Sequence, residues 1–230
     1  DPVLARVGAM YHDIGKLKRP LFFVENQTYF GIENPHTKLN PRLSKMVITA
    51  HPKDGIDLAK EYGIPPVIQN FIIQHHGDSV ARYFYNQAKQ EEGEEKVTEE
   101  QFRYTCPRPN TKETAILMIA DAVESASRTL KDHSAEELDN MINKIIQDRL
   151  NDGQLSDSPL TLKDLKTIAQ TFSKSLRAAH HQRIKYHENI IQELEEKALK
   201  KKFVAPEKII SEDEEKIETK IQKRLKKENE

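Results

Sequence analysis

The sequence predicts an all-α fold, because apolar residues recur at the three- and four-residue spacing of a helix in most segments. No long stretch alternates apolar and polar residues as a half-buried strand would. Pro or small polar residues precede the periodic segments, and two of these segments end at Gly63 and Gly77. With 230 residues, the chain is long enough for one domain of roughly 150–200 residues and an additional segment.

The first half of the chain is predicted to contain four helices. They span Pro2 to about Lys18, Asn40 to Tyr62, Pro65 to His76, and Asp78 to Gln90. Pro20 ends the first helix, and Pro52 divides or kinks the second. Residues 21–41 contain two Asn-Pro pairs and indicate a long irregular loop, a length more common in functional loops than in passive connections.

The second half begins with an acidic, flexible stretch, residues 91–100, and a second irregular loop, residues 105–110. Three helices are predicted after it. They span Thr111 to Leu130, Ser134 to about Asn151 with a capping box at its start, and Thr161 to beyond His187. From about Ala198, Lys and Glu dominate and predict a solvated helix or a disordered tail. We therefore expect a helical domain over residues 1–197 and a charged tail over residues 198–230.

Charge and cysteine content limit the function classes. The formal net charge is −1, although 32% of residues are charged, so there is no general attraction to long nucleic acid or to an anionic membrane. The single cysteine, Cys106, cannot form an internal disulfide and fits a reducing compartment. The sequence has neither a run of about 20 apolar residues nor a signal-peptide pattern. Because it opens at Asp1-Pro2, in what looks like the first turn of a helix, we expect a fragment of a longer protein.

Metal-ligand side chains recur at wide intervals along the chain. They are His12, Asp13, His51, His75, His76 and Asp121. Imidazole nitrogens with carboxylate oxygens suit divalent first-row metals, and a carboxylate can bridge two ions. We assign Asp13 as the bridge, His12 and Asp121 to one metal, and His51, His75 and His76 to the other. Two such ions lower the pKa of bound water and hold phosphodiester oxygens, so the set predicts a binuclear phosphohydrolase site.

An alternative reading applies to each histidine taken singly, which fits an ordinary capping or core role. The ordered series with two carboxylates favours the metal site. The doublet His180-His181 offers a comparison within the chain, because it lies on a charged late helix with no carboxylate series around it. We interpret that doublet as solvent-facing.

Four motifs contain the predicted ligands: His12-Asp13-Ile14-Gly15-Lys16, His51-Pro52-Lys53-Asp54-Gly55, His75-His76-Gly77, and Ile119-Ala120-Asp121-Ala122-Val123-Glu124. They resemble the motifs of HD-domain phosphohydrolases, specifically the cytoplasmic HD domain of bacterial seven-helix membrane receptors. The resemblance covers about residues 1–190, including residues 102–104 and 108–113. It implies an HD-domain helical bundle that linearises cyclic-di-AMP to 5′-pApA with a pair of iron or manganese ions. It also implies a parent chain in the bacterial cell membrane with this domain in the cytoplasm, and it leaves dimerisation open.

Two departures from the family pattern affect these expectations. The family has a metal-binding His in the helix before the His-Asp motif, and this sequence begins after that position. One ligand of the first metal is therefore expected to lie outside the sequence. Related cyclic-di-GMP enzymes carry Gly-Tyr-Pro after the His doublet, whereas Gly77-Asp78-Ser79-Val80 follows it here. The second departure argues against a guanine dinucleotide.

Several residues are candidates for substrate contacts. Lys16 is placed to bind a phosphate oxygen or to protonate the leaving 3′-oxygen, although a cation at a helix end also stabilises the helix dipole. The aromatic candidates for stacking on adenine are Tyr83, Phe84, Tyr85 and Tyr104, and core packing is the alternative for at least half of them. Arg108 and Lys112 are candidates for the second phosphate, or are solvated loop charges.

Two other function classes are compatible with the same residues. One is a sensory or interaction domain that binds the nucleotide, has weak activity and signals to a partner. The other is an HD phosphohydrolase that acts on a nucleoside triphosphate, a nucleotide monophosphate or RNA. Metal content and turnover distinguish the first from the favoured phosphodiesterase, and the net charge near zero disfavours long nucleic acid.

Overall fold

The structure, a computed structural model, describes residues 1–130 and 134–179, except the side chains of residues 28–30. Eight α-helices lie in this part of the chain: α1 Pro2–Tyr11, α2 Val24–Phe30, α3 Pro41–Glu61, α4 Pro66–Gln74, α5 Arg82–Glu92, α6 Lys112–Ser127, α7 Ala135–Asn151 and α8, residues 162–179. Among the same residues, β pairing is limited to one isolated bridge between Val80 and Arg103. The predicted all-α fold is confirmed. No helix of the described ranges is long and apolar enough to cross a membrane.

Three predictions fall outside the described residues. They are the continuation of the last helix beyond residue 179, the charged tail with its boundary at residue 197, and the solvent-facing doublet His180-His181. They stay predictions.

Helix α1 ends sooner than the sequence predicted. It stops at Tyr11, and a 3₁₀ helix, Ile14–Lys18, follows it. The backbone at Asp13 leaves the helical region, with φ −103° and ψ 10°. This change of direction brings the 3₁₀ turn against α3, where a Cβ on Gly15 would lie only 1.8 Å from the carbonyl oxygen of His51. Contact between the two backbones therefore decides where α1 ends.

The segment predicted as an irregular loop, residues 21–41, is partly helical. It contains α2 and the 3₁₀ helix Pro35–Lys38. His36 ties the segment together, because its Nε2 donates a hydrogen bond to the carbonyl oxygen of Phe22 at 2.9 Å. Phe23 is buried and packs edge to face against the His51 ring, with centroids 5.6 Å apart. The segment thus covers one side of the histidine cluster.

The other helices lie close to their predicted positions. Pro52 lies inside α3, which is one continuous helix. Side chains of Asn40, Thr111 and Ser134 cap α3, α6 and α7 by accepting backbone N–H bonds in the first turn. The residues between 91 and 100, predicted to be flexible, include the 3₁₀ helix Glu94–Lys96 and the buried side chain of Val97. Apolar anchoring of Val97 explains the difference.

Two apolar clusters hold the fold together. The first joins α6, α7 and α8 and consists of Ala115, Met118, Ile119, Val123, Ile142, Ile146, Leu155, Leu165 and Ile168. The second lies around α5 and consists of Val80, Phe84, Ala88, Val97 and Phe102. Phe71 and Ile72 of α4 are also buried, and the ring of Phe71 lies against Gly8 of α1. These contacts fix the helices whose ends carry the predicted ligands.

Candidate metal centre

Four helices bring the six predicted ligands together. α1 ends just before His12, and α4 ends just before His75, so both adjacent pairs of ligands lie at helix ends. His51 lies within α3, and Asp121 lies within α6. Neighbouring side chains inside a helix point about 100° apart, but at a helix end the change of backbone direction allows both to face one centre.

Asp13 lies in the middle of the cluster. Its Oδ2 is 3.2 Å from His12 Nε2. Its Oδ1 is 3.4 Å from His51 Nε2 and 3.6 Å from His75 Nε2. The two oxygens therefore face different imidazoles, which is the arrangement that a carboxylate bridging two ions requires.

Asp121 lies on the far side of the cluster, with Oδ1 3.7 Å from His12 Nε2 and Oδ2 4.0 Å from His76 Nδ1. Among the described residues, two groups of three have ligand atoms within 4.8 Å of one another: His51, His75 and His76, and His12, Asp13 and His75. The group of three histidines is the set that the sequence assigned to one metal. In the group that contains Asp13, His75 takes the place that the sequence assigned to Asp121. His75 therefore lies where the two groups meet.

Backbone carbonyls orient three of the imidazoles in the same way. Nδ1 of His12 donates to Ala9 O at 2.8 Å, and Nδ1 of His51 donates to Ile48 O at 2.7 Å. His75 Nδ1 donates to the carbonyl oxygen of Ile72 at 2.8 Å. Each acceptor lies three residues before its histidine. The remaining nitrogen, Nε2, faces the cluster in each case and offers a lone pair when the ring is neutral, as in histidines that bind metals.

The Nε2 lone pairs of His51 and His75 point toward each other, an arrangement that a cation would stabilise. With both Nδ1 atoms donating, the Nε2 atoms of His51 and His75 face each other at 3.0 Å. Two lone pairs at this distance repel unless a positive charge lies between or beside them. His12 Nε2 is also buried and faces two carboxylates, with Asp13 Oδ2 at 3.2 Å and Asp121 Oδ1 at 3.7 Å. Since buried polar atoms normally have partners, the Nε2 atoms of His51 and His75 fit the coordination of metal ions.

The charge states of the cluster follow from burial and neighbouring charges. Burial, followed by the charge of His75, lowers the pKa of His51 to about 4, and burial also lowers the pKa of His75 and His76. Burial lowers the pKa of His12 too, but hydrogen bonds with Asp121 and Asp13 outweigh it and raise that pKa to about 10. Three histidines are therefore neutral ligands at pH 7, whereas His12 must release a proton to bind a metal.

The two carboxylates are ionised. Burial raises the pKa of Asp13 and of Asp121, but in both cases the hydrogen bond with His12 and nearby positive charges outweigh it, and the pKa falls below its usual value. Both side chains are therefore anionic oxygen donors at neutral pH.

A buried polar network supports the chain that follows the His doublet. Gln154 is fully buried, and its Nε2 donates to Asp78 Oδ1 at 2.7 Å and to Asp152 Oδ2 at 2.9 Å. Gly77 has φ +55°, and a Cβ at this position would lie 2.3 Å from Gln154 Oε1. Gln154 and Gly77 thus fix the backbone next to His76. Nothing in the local sequence connects Gln154 to the doublet 78 residues earlier.

Two of the predicted substrate residues lie at the cluster. Lys16 Nζ is 2.7 Å from Asp13 Oδ2 and also forms an ion pair with Glu25. Burial lowers the pKa of Lys16, but these two carboxylates outweigh it and raise the pKa above its usual value. Tyr104 is buried and stacks on the His76 ring, with centroids 4.4 Å apart and planes at 28°.

The other five predicted substrate residues have different partners, and one of them, Phe84, is buried in the apolar cluster around α5. Arg108 donates to both oxygens of Asp78, at 2.8 and 3.0 Å. Lys112 Nζ is 2.9 Å from Asp164 Oδ2. Tyr83 is 72% exposed, and its ring contacts Phe84. Tyr85 packs against the apolar cluster around α5.

An open pocket of about 690 Å³ adjoins the cluster. His12, Asp13 and Asp121 form one side of it, together with Lys16. The other described residues that line it are Val24, Glu25, Leu117, Ala120, Glu124, Ser125, Arg128 and Thr129. Glu25, Glu124 and Arg128 were not predicted as site residues. Arg128 directly follows α6 with helical backbone angles, seven positions after Asp121, and this spacing places both on one helix face.

The helical fold and this His/Asp cluster define the chain as an HD-domain protein. The family model described as "HD domain" matches residues 1–126, and the chain belongs to that family. The predicted family is thus confirmed.

Named relatives and a solved structure agree with this assignment. The cyclic-di-AMP phosphodiesterase PgpH of Bacillus subtilis (strain 168) is 46% identical over 186 residues, which are 81% of this chain and 26% of the relative. PgpH of Listeria monocytogenes serotype 1/2a (strain 10403S) is 42% identical over 186 residues, 81% of this chain and 25% of that protein. The crystal structure of the L. monocytogenes PgpH HD domain in complex with cyclic-di-AMP is 40% identical, with a TM-score of 0.74, and the match covers 78% of this chain and 82% of that one. The chain spans about a quarter of the length of these curated relatives.

Proposed function

We propose that this chain is a phosphodiesterase domain that hydrolyses cyclic-di-AMP to 5′-pApA with two divalent ions, iron or manganese. The observation that carries the proposal is the position of Asp13, whose two oxygens face His12 on one side and His51 and His75 on the other. The names of the two PgpH relatives and the cyclic-di-AMP in the solved HD domain support this substrate.

The residues of the cluster have distinct proposed roles. Asp13 would bridge the ions, His12 and Asp121 would hold one, and His51, His75 and His76 would hold the other. Such ions supply positive charge to the phosphate oxygens and acidify an attacking water. In the overall reaction, one water oxygen bonds to phosphorus, one P–O3′ bond breaks, and the 3′-oxygen leaves with a proton.

Lys16 is proposed to bind a phosphate oxygen. Its ammonium group lies 2.7 Å from Asp13 and is held by Glu25, so it stands at the edge of the centre. Because its pKa is raised, it is a weak proton donor at neutral pH, and charge-assisted hydrogen bonding to phosphate suits it better than proton transfer.

The remaining candidate substrate residues differ in what they contact. Tyr104 stacks on His76, so one face of its ring is already occupied by the cluster, and we propose that it orients that imidazole. Contacts of Tyr83, Tyr85, Arg108 and Lys112 with substrate stay predictions from the sequence. The carboxylates that hold Arg108 and Lys112 would have to release them.

We further propose that the parent protein is a membrane receptor with this domain on the cytoplasmic side. The support is the resemblance of the motifs to the seven-helix receptors and the much greater length of the curated relatives.

The proposed activity can be tested with purified protein of known metal content. Protein loaded with Mn²⁺ or Fe²⁺ is incubated with cyclic-di-AMP or cyclic-di-GMP, and products are identified by liquid chromatography and mass spectrometry. We expect 5′-pApA and a higher kcat/KM for cyclic-di-AMP. Binding of cyclic-di-AMP without turnover in either metal form would favour the sensory module instead. A preference for cyclic-di-GMP would refute the proposed substrate.

A further inference from the structure

The pocket beside the cluster contains two permanently charged cations among its described lining residues, Lys16 and Arg128. Lys16 lies next to Asp13. Arg128 directly follows α6 with helical backbone angles, seven positions after Asp121 and therefore about 10.5 Å farther along the helix axis. Side chains on a helix lean toward its N-terminus, and the hydrogen bond from Arg128 to Glu124, one turn earlier, shows this direction. The guanidinium therefore leans back toward the metal-binding end of the pocket.

The two cations differ in how they are held. Lys16 is committed to two carboxylates, Asp13 and Glu25. Arg128 is about half exposed and, within the described residues, makes one hydrogen bond, from Nε to Glu124 Oε1 at 2.8 Å. A guanidinium has five N–H donors, so its two terminal nitrogens have no hydrogen-bond partner among the described residues and can bind a ligand. Arginine is also the side chain whose planar fork matches two phosphate oxygens.

We propose that Arg128 binds the phosphate that is not being cleaved. This inference rests on the proposed function, because cyclic-di-AMP has a second phosphodiester that needs an anion site when the first occupies the centre. Arg108 and Lys112, the cations that the sequence suggested for this role, are paired with Asp78 and Asp164 and do not line the pocket. Arg128 distinguishes a cyclic dinucleotide from a diester with a single phosphate.

The test compares two substrates in the metal-loaded protein. Cyclic-di-AMP has two phosphates, and bis(4-nitrophenyl) phosphate has one. Arg128→Gln should raise KM for cyclic-di-AMP about tenfold, the low end for a charge-assisted hydrogen bond at a partly exposed site. Because the smaller diester has no second phosphate for Arg128 to bind, the ratio of kcat/KM for cyclic-di-AMP to that for the smaller diester should fall by a similar factor. Calorimetry with a non-hydrolysable phosphorothioate analogue of cyclic-di-AMP should show the same loss of affinity without turnover.

Glu124→Gln should have the opposite effect to Arg128→Gln, because it should strengthen binding of the analogue. It removes the carboxylate that partly neutralises Arg128 and keeps the shape of the side chain, so the dissociation constant of the analogue should fall about twofold or more. Arg82→Gln is the matched control, since Arg82 is a similarly exposed arginine that pairs with Glu99 outside the pocket. This control should leave both substrates unchanged.

Each result has a defined meaning. Equal losses on both diesters in Arg128→Gln would show that Arg128 acts through the centre or the fold, and would overturn the inference. An unchanged affinity for the analogue would also overturn it, while turnover of cyclic-di-AMP by the unsubstituted protein would leave the proposed function intact. If the unsubstituted protein binds the analogue and shows the Arg128 effect but does not cleave cyclic-di-AMP, the proposed function fails and the anion site stands.

Discussion

Gly15→Ala should separate the metal-binding segment from α3. A Cβ at Gly15 would lie 1.8 Å from the His51 carbonyl oxygen and 2.5 Å from the Gly55 nitrogen, both of which are backbone atoms. Restoring an ordinary contact of 3.4 Å requires a movement of about 1.6 Å along the first of these lines. Asp13 is two residues before Gly15, and its Oδ1 lies 3.4 Å from His51 Nε2, so the movement disturbs the centre directly.

The expected cost has two parts. Overpacking of this kind destabilises a fold by about 1–3 kcal/mol, and a misplacement of about 1 Å lowers a catalysed rate about 100-fold. Thermal unfolding, metal content per chain and cyclic-di-AMP turnover measure these effects. Gly63→Ala is the matched control: Gly63 has φ +65°, and nothing lies within 4 Å of the place that an alanine methyl group would occupy, so the control should lose about 1–2 kcal/mol through backbone strain and keep metal and rate. Native metal content and turnover in Gly15→Ala would refute the argument.

Three further predictions address the ligands and their support. Asp13→Ala should abolish hydrolysis and greatly reduce metal content without unfolding the protein, because two like-charged ions lose their shared anionic ligand. His180→Ala combined with His181→Ala is the control and should change the hydrolysis rate and the metal content by less than about twofold. Retention of both metals and turnover in Asp13→Ala would contradict the bridge. Competition with a chelator should show that metal affinity increases about tenfold per pH unit between pH 6 and 8, because His12 has a pKa of about 10 and must lose its proton to bind metal. His51, with a pKa of about 4, should add no pH dependence in this range. A flat profile would count against His12 as a ligand. Gln154→Ala should lower the free energy of unfolding, measured with denaturant, by about 1–3 kcal/mol, because Asp78 and Asp152 lose a shared buried donor. Gln147→Ala, at an exposed position, should lower it far less. Equal losses would contradict a stabilising role of the Gln154 network.

The helices and the ligand cluster could be predicted because their signals are local. Apolar spacing and capping residues such as Asn40, Thr111 and Ser134 mark helices within a few residues of their observed ends. The motif around His12 carries both a proposed ligand and the proposed bridging carboxylate, Asp13. Metal chemistry then connects distant motifs, because only a few side-chain types suit such ions.

The parts that sequence missed depend on contacts between distant segments. α1 ends at Tyr11 because the turn containing Gly15 packs on α3, and the residues around Tyr11 do not predict that contact. Gln154 supports the His doublet through a loop far along the chain, and polar residues in loops are usually solvated. The sequence offered Arg108 as a phosphate contact or a solvated loop charge, and its ion pair with Asp78 was missed because Asp78 lies 30 residues away. Such pairings require the fold itself.

The orientation of the imidazoles shows why helix packing controls the centre. His12, His51 and His75 each donate through Nδ1 to a carbonyl three residues earlier, so the local backbone sets the orientation of each ring. The distances between their Nε2 atoms and Asp13 therefore depend on how α1, α3 and α4 are packed against one another. A substitution at an interface between these helices displaces whole ligands, whereas a substitution at a phosphate-binding cation such as Arg128 leaves the ligands in place. Loss of metal and loss of dinucleotide affinity should accordingly be separable in this protein.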